Sequence, residues 1–262
     1  MTRRMVLHGL GADVALELGE GEAGDSADAI LWADLEHAWA RCRRSEDTPV
    51  DDTVSIRLTG DATEAERNAR YLMVSTTQQV TQALIAARRG ELLMLHAGGV
   101  AHPATGQSLV FIAAGGTGKS TLSTTLGKQY AYLSDETIGI SPDGQIHPYP
   151  KPVSTRPQPG QTGPKRELSP DDLGLLPAPD NPRLHRIVLL KRHPEAAGLQ
   201  VEQLDTLSAI EALVTETSSL GHLPRALHLV ESLLAIGGGA ERWTYADHTD
   251  LLSTARNILG AP

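Results

Sequence analysis

Leu109-Val110-Phe111-Ile112-Ala113-Ala114-Gly115-Gly116-Thr117-Gly118-Lys119-Ser120-Thr121 is the stretch that decides the fold. Four consecutive large apolar residues are what a strand buried on both faces shows. They run straight into a glycine-rich turn, and a short helix is predicted from Lys119 to about Leu126, ended by Gly127. Glycines let a backbone turn tightly and bring its N–H groups close to phosphate oxygens. The following helix adds the positive end of its dipole. In such a cradle Ala114, Gly115, Gly116, Thr117, Gly118, Lys119, Ser120 and Thr121 hold the phosphates. The Lys119 ammonium reaches the terminal ones and the Ser120 hydroxyl ligates Mg²⁺. Lys119 is therefore expected to be partly exposed. The usual pattern has glycine five positions before Gly118, and here that residue is Ala113.

Outward from this stretch, Leu92–Leu95 reads as another buried strand, Val100-Ala101 as its continuation or a return pairing, and 102–107 as a turn. On the other side Tyr130–Leu133 is a strand ending at Ser134-Asp135-Glu136. An isolated Asp-Glu pair at a strand end is usually solvated. After a phosphate cradle it becomes a candidate to hold Mg²⁺ or to take a proton from an acceptor hydroxyl. Further upstream, Val54–Leu58 alternates as a half-buried strand does. Ile30–Arg44 is expected to be helical, and a helix follows Asp61 and Glu64, which have capping-box spacing. Ten of the 16 prolines fall between 148 and 182, together with Lys151, Arg156, Lys165 and Arg166. Proline denies regular structure, so this segment is expected to be a long basic loop. Ile187–Leu190 resumes a buried strand, and helices are expected over 205–217, 224–236 and 249–259.

The whole chain has 262 residues, 23 Lys and Arg against 32 Asp and Glu, and a net charge of −9. That balance argues against binding nucleic acid through its phosphates. An aromatic content of 3% argues against a base-stacking platform. The single cysteine, Cys42, makes no internal disulfide, and a reducing compartment is the natural reading. No run reaches the roughly 18 apolar residues of a membrane span. The expectation is a cytoplasmic protein with no membrane partner.

Leu95-His96-Ala97-Gly98-Gly99-Val100, the 113–121 stretch, Tyr132-Leu133-Ser134-Asp135-Glu136 and Pro148-Tyr149-Pro150-Lys151-Pro152 together resemble the HPr kinase/phosphorylase-like family. The phosphate loop is also similar to that of ATP-dependent phosphoenolpyruvate carboxykinase, from the same superfamily. The resemblance implies an α/β fold, with a mixed sheet around the phosphate loop over 89–262 and a small N-terminal α+β accessory lobe over 1–88. It implies ATP- and Mg²⁺-dependent phosphorylation of a serine hydroxyl on a peptide or small protein, and family members include homo-oligomeric rings. His96 matches the family histidine that supports the catalytic acid. Asp135 and Glu136 match its paired acids, usually Asp-Asp, and either one is the base or the metal ligand. Asp135 and Ser120 are the implied metal ligands, and Lys151 and Arg156 are candidates to steady the acceptor. A run like Glu-Ile-Arg-Gly-Leu-Gly, which marks the enzymes acting on HPr itself, is absent between 137 and 185. Two other readings stay open: a small-molecule or carboxykinase-like enzyme, and a nucleotide-binding regulator without catalysis.

Overall fold

The N-terminal residues, unassigned from their pattern, form a hairpin: β1 (Arg3–Gly9) pairs antiparallel with β2 (Ala12–Leu18), Val6 opposite Ala15. Leu10 and Gly11 turn the chain with φ of 53° and 75°. A two-residue hairpin turn matching strand twist needs this left-handed pair. Gly11 adopts it freely, and Leu10 is held there by complete burial. Then comes α1 (Asp25–Ala38), which buries Leu31, Trp32, Leu35 and Ala38. It starts and ends earlier than the expected 30–44, because Arg43–Arg44 form β3 on the edge of β1. β4 (Asp52–Ile56) lies parallel to β2, giving the order β3-β1-β2-β4. Val54 and Ile56 are buried and Ser55 is exposed, as the alternation requires. α2 (Ala65–Ala87) buries Val80, Ala83 and Leu84. Asp61 caps the turn before α2: its Oδ1 accepts the N–H groups of Thr63 and Glu64 at 2.8 and 3.3 Å.

From residue 89 the chain builds three further sheets. β5 (Leu93–Leu95) is followed at once by β6 (Ala97–Ala101), which returns antiparallel to β7 (Gln107–Ile112). The turn 113–118 leads into α3 (Lys119–Gly127), then β8 (Ala131–Ser134), β9 (Ile138–Ile140) and β10 (Ile146–His147). β11 (Val153–Thr155) and β12 (Arg166–Leu168) come next and pair antiparallel. The chain continues through β13 (Arg183–Arg192), β14 (Gln200–Gln203), α4 (Thr206–Thr215), β15 (Thr217–Ser218), α5 (Ala226–Ile236), β16 (Ala240–Tyr245) and α6 (Leu252–Leu259). The six-stranded sheet is ordered β14-β16-β13-β7-β6-β8 and the four-stranded one β10-β9-β5-β15.

β7 is buried on both faces, and its side chains alternate between two cores. Val110 and Ile112 pack with Ile187, Leu213, Val230 and Leu233 on the face covered by α4 and α5. Leu109 and Phe111 pack with Leu122, Leu126, Trp243 and Leu259 on the face covered by α3 and α6. Gly98 lets α3 lie against β6. A Cβ there would sit 2.3 Å from the Phe111 ring and 2.6 Å from Ser123 Oγ.

This computed structural model describes residues 2–61, 63–115, 117–156 and 164–262. The chain divides into two units, Met1–Arg88 with Pro150–Leu173, and Arg89–Tyr149 with Gly174–Pro262. The proline-rich segment is thus split between the two units, and it is not wholly irregular. The prolines stand beside β11 and β12 rather than inside them, and Ser154 Oγ bonds Glu167 across the ladder at 2.6 Å. Pro157 and Pro159 of the expected loop, and Gly116 of the cradle, lie outside the described residues. Among the described residues no helix is long and apolar enough to cross a membrane.

Candidate functional site

Strand direction gathers the candidate residues. β7 runs parallel to β13, and β13 to β16. β6 is antiparallel to both β7 and β8, so β8 points the same way as β7. The turn 113–118, the Asp135-Glu136 pair, Tyr245 and the start of β6 just after His96 therefore share one end of the sheet. Ligands of open α/β sheets bind outside the carboxyl ends of parallel strands.

The turn itself is tied down by its own backbone. Thr117 donates to the Ala114 carbonyl from both its N–H, at 3.3 Å, and its hydroxyl, at 2.7 Å. Gly118 caps α3 with φ of 110°, a conformation that side chains other than glycine's rarely tolerate. The Tyr245 hydroxyl donates to the Thr117 carbonyl at 2.7 Å, anchoring the turn to the end of β16. Burial holds the Tyr245 phenol above its ordinary pKa, so it remains a donor. Ala114 and Gly115 are exposed, and a Cβ on Gly115 would meet nothing within 4 Å. α3 has no side-chain cap at its start, and the first-turn N–H groups of a helix have no intrahelical acceptor. Ser120 is half-buried and Thr121 exposed.

Lys119 departs from expectation. It is buried, 8% exposed, and its ammonium donates to the Ala113 carbonyl. The side chain reaches back along the turn to its first residue, which takes it out of solvent. Desolvation pulls the Lys119 pKa below its ordinary value, opposed in turn by the carboxylates of Glu216, Asp135 and Glu136. Asp135 is 4% exposed and its Oδ1 accepts the Tyr132 hydroxyl at 3.0 Å. Glu136 is half-buried. Its carbonyl accepts the Ala97 N–H at 3.1 Å, and its own N–H donates to Ser134 Oγ at 3.3 Å. His96 is exposed, with its N–H bonded to the Glu216 carbonyl at 2.7 Å.

His96, Lys119, Ser120, Asp135 and Glu136 thus share this end of the sheet, whereas Lys151 and Arg156 belong to the other unit. There Lys151 is buried, 1% exposed, and donates to the Pro152 carbonyl at 3.0 Å, while Arg156 is exposed. Two residues escaped the sequence reading. Glu216 follows α4 and is brought beside His96 because Thr217 pairs with Leu95. Tyr245 ends β16, a strand whose short Glu241-Arg242 interruption hides its apolar period. Neither carries a motif.

Backbone donors, a lysine and three carboxylates whose charges reach it thus stand at one end of the sheet. Such a donor set fits a polyphosphate with a divalent cation. Mg²⁺ bound with a nucleotide takes most of its ligands from phosphate oxygens and water, so one hydroxyl and one carboxylate suffice from the protein. Neither the protein-family models nor the curated proteins include a match to the chain. The likeness to HPr kinase-like proteins therefore rests on the motifs quoted above.

Proposed function

We propose that the chain is an ATP- and Mg²⁺-dependent kinase that phosphorylates a serine hydroxyl on a peptide or small protein. The observation that carries this reading is the placement of Lys119, the uncapped start of α3 and the Asp135-Glu136 pair at one end of one sheet. ATP supplies the phosphoryl group and Mg²⁺ its charge compensation. The backbone of Gly115–Ser120 holds the phosphates, with the Gly116 contribution expected from the sequence. Lys119 moves its ammonium from the Ala113 carbonyl to the terminal phosphate oxygens, where it offsets the charge of the transferred group. Asp135, the more buried acid and already bonded by Tyr132, would hold the Mg²⁺ together with Ser120. Glu136, more open to an arriving acceptor, takes the hydroxyl proton as the serine oxygen bonds phosphorus and ADP departs. His96 stands beside this pair as a positioning residue.

The acceptor class follows the family resemblance. The test is transfer of labelled γ-phosphate to a serine-containing peptide library, compared with free serine and small alcohols. Transfer to peptides that is lost in Lys119→Ala is the expected result. Turnover confined to small alcohols overturns the peptide assignment, and tight ATP binding without transfer to any acceptor overturns catalysis.

A further inference from the structure

The unit formed by Met1–Arg88 and Pro150–Leu173 holds a groove of about 820 Å³, remote in character from the charged end of the six-stranded sheet. One wall is a face of α1, where Ala27, Leu31, Asp34 and Ala38 recur at helical spacing. The facing wall is α2, through Ala65, Ala69 and Met73, and Leu168 of β12 closes the third side. The alanines leave the room, and the larger side chains make an apolar floor. Ile30, on the same groove, is 66% exposed.

The charges around the groove are of two kinds. Several are already satisfied within the unit: Arg70 pairs with Glu66 at 2.6 Å, His37 with Asp172 at 2.9 Å, and Glu167 bonds Ser154 and Thr77. Asp34, Lys165 and Arg166 have no ion pair among the described residues. The two cations stand together at the β12 wall and the acid stands on α1, so the rim is positive on one side and negative on the other.

We propose that this groove docks the acceptor: it takes a short amphipathic segment of the peptide or protein to be phosphorylated, apolar face down, with acidic residues toward Lys165 and Arg166. The identity of the occupant rests on the kinase reading. An apolar groove between two helices is a usual seat for such a segment. Covering Ile30 removes exposed apolar area from water, and the divided rim charge selects one orientation. Docking on a separate unit makes acceptor choice independent of the residues that handle phosphate.

The experiment uses the full chain without nucleotide and two labelled helical peptides of about twelve residues, a length of the kind such grooves seat. Both carry leucines on one face; one has a glutamate-rich end, the other a lysine-rich end. Fluorescence anisotropy should show the glutamate-rich peptide binding about tenfold tighter. Lys165→Glu with Arg166→Glu should reverse that order, and Ile30→Glu should weaken both peptides. All three positions are exposed, and unchanged thermal melts confirm that the fold is kept. Equal or absent binding of the two peptides overturns the proposal. So does self-association that Ile30→Glu abolishes, which would make the occupant a second copy, or displacement of bound peptide by a simple fatty acid. Peptide binding of the expected kind without phosphate transfer to any serine peptide would instead remove the kinase reading and leave the groove a peptide site.

Discussion

The two candidate sites distribute charge in opposite ways. At the end of the six-stranded sheet the charges are drawn inward: Lys119 and Asp135 are buried, with Glu136 and Glu216 about them. In the groove between α1, α2 and β12 the apolar groups are inward, while Lys165, Arg166 and Asp34 stand at the rim. Buried charges interact strongly because little water screens them, but each must be matched or it is costly. Rim charges are screened and contribute little individually. The first arrangement suits a small, highly charged ligand gripped by a few groups. The second suits a longer, mostly apolar ligand, for which charge sets direction more than strength. On the proposed reading, chemistry and acceptor selection reside in separate units, and the contrast can be broken by substitutions on either side.

The largest effect is expected from Lys119→Ala. On the proposed reading Lys119 offsets charge on the transferred phosphoryl group, a role that contributes on the order of 10³-fold or more to the rate, so phosphoryl transfer should fall below detection. The fold should survive, because desolvation already disfavours the charged side chain. Wild-type turnover in the purified variant would return Gly115–Ser120 to an ordinary glycine-rich turn and erase the contrast.

Next come Asp135→Asn and Glu136→Gln, which should be unequal. Loss of a general base costs about 10²–10⁴-fold, and this should fall on kcat in Glu136→Gln. Asp135→Asn should instead raise the Mg²⁺ concentration needed for half-maximal rate. Rate measured against Mg²⁺ for each variant separates the roles, and the opposite pattern would exchange the two acids. Two near-wild-type variants would leave the pair a structural feature of the strand end.

Legibility in the sequence depends on how much of each element is written in its own local pattern. β7 and α3 could be read because a strand buried on both faces leaves an unbroken apolar run, and Gly118-Lys119-Ser120 marks where it ends. β1 and β2 could not, since Leu10-Gly11 is not a residue pair that announces a tight turn; burial of Leu10 enforces it. β16 was hidden because Arg242 and Glu241 occupy it, with Arg242 paired to Glu202 on β14 and Glu241 accepting the Trp243 indole N–H. Those partners are distant or local contacts that no periodicity records. β11 and β12 are masked by the proline content of the 148–182 segment as a whole, although Val153–Thr155 and Arg166–Leu168 contain none. Within the site, Asp135 and Glu136 were legible as a strand-end pair. The burial of Lys119 and the approach of Glu216 depend on how the turn and β15 fold back.

A smaller effect sharpens the picture of the turn. Tyr245→Phe deletes only the hydrogen bond to the Thr117 carbonyl, worth about 1 kcal/mol net. Nucleotide affinity should weaken about fivefold, with kcat little changed, as titration calorimetry and steady-state rates can show. A large loss of kcat at unchanged affinity would mean that the phenol touches the reacting groups, and would make Tyr245 catalytic.

The smallest effect tests whether the groove-bearing unit hides reactive chemistry of its own. Cys42 is 1% exposed and lies near the buried Lys151, whose charge favours a thiolate. Burial outweighs that attraction and pushes the thiol from 9.0 up to about 12. At pH 8 only about one thiol in 10⁴ is then ionised, so a thiol reagent should label Cys42 only in urea. Linkage supplies a second measurement. Above pH 9 the unfolded thiol loses its proton while the folded one keeps it, so the folded state binds more protons and stability falls as pH rises from 9 toward 12. Between pH 9 and 10 this group should remove about 1 kcal/mol of stability, a loss absent from Cys42→Ala when urea unfolding is followed at both pH values. Rapid labelling of the folded protein at pH 8, or equal pH slopes for the two proteins, would show an ionised thiol beside Lys151. The buried chemistry would then no longer belong to one unit alone.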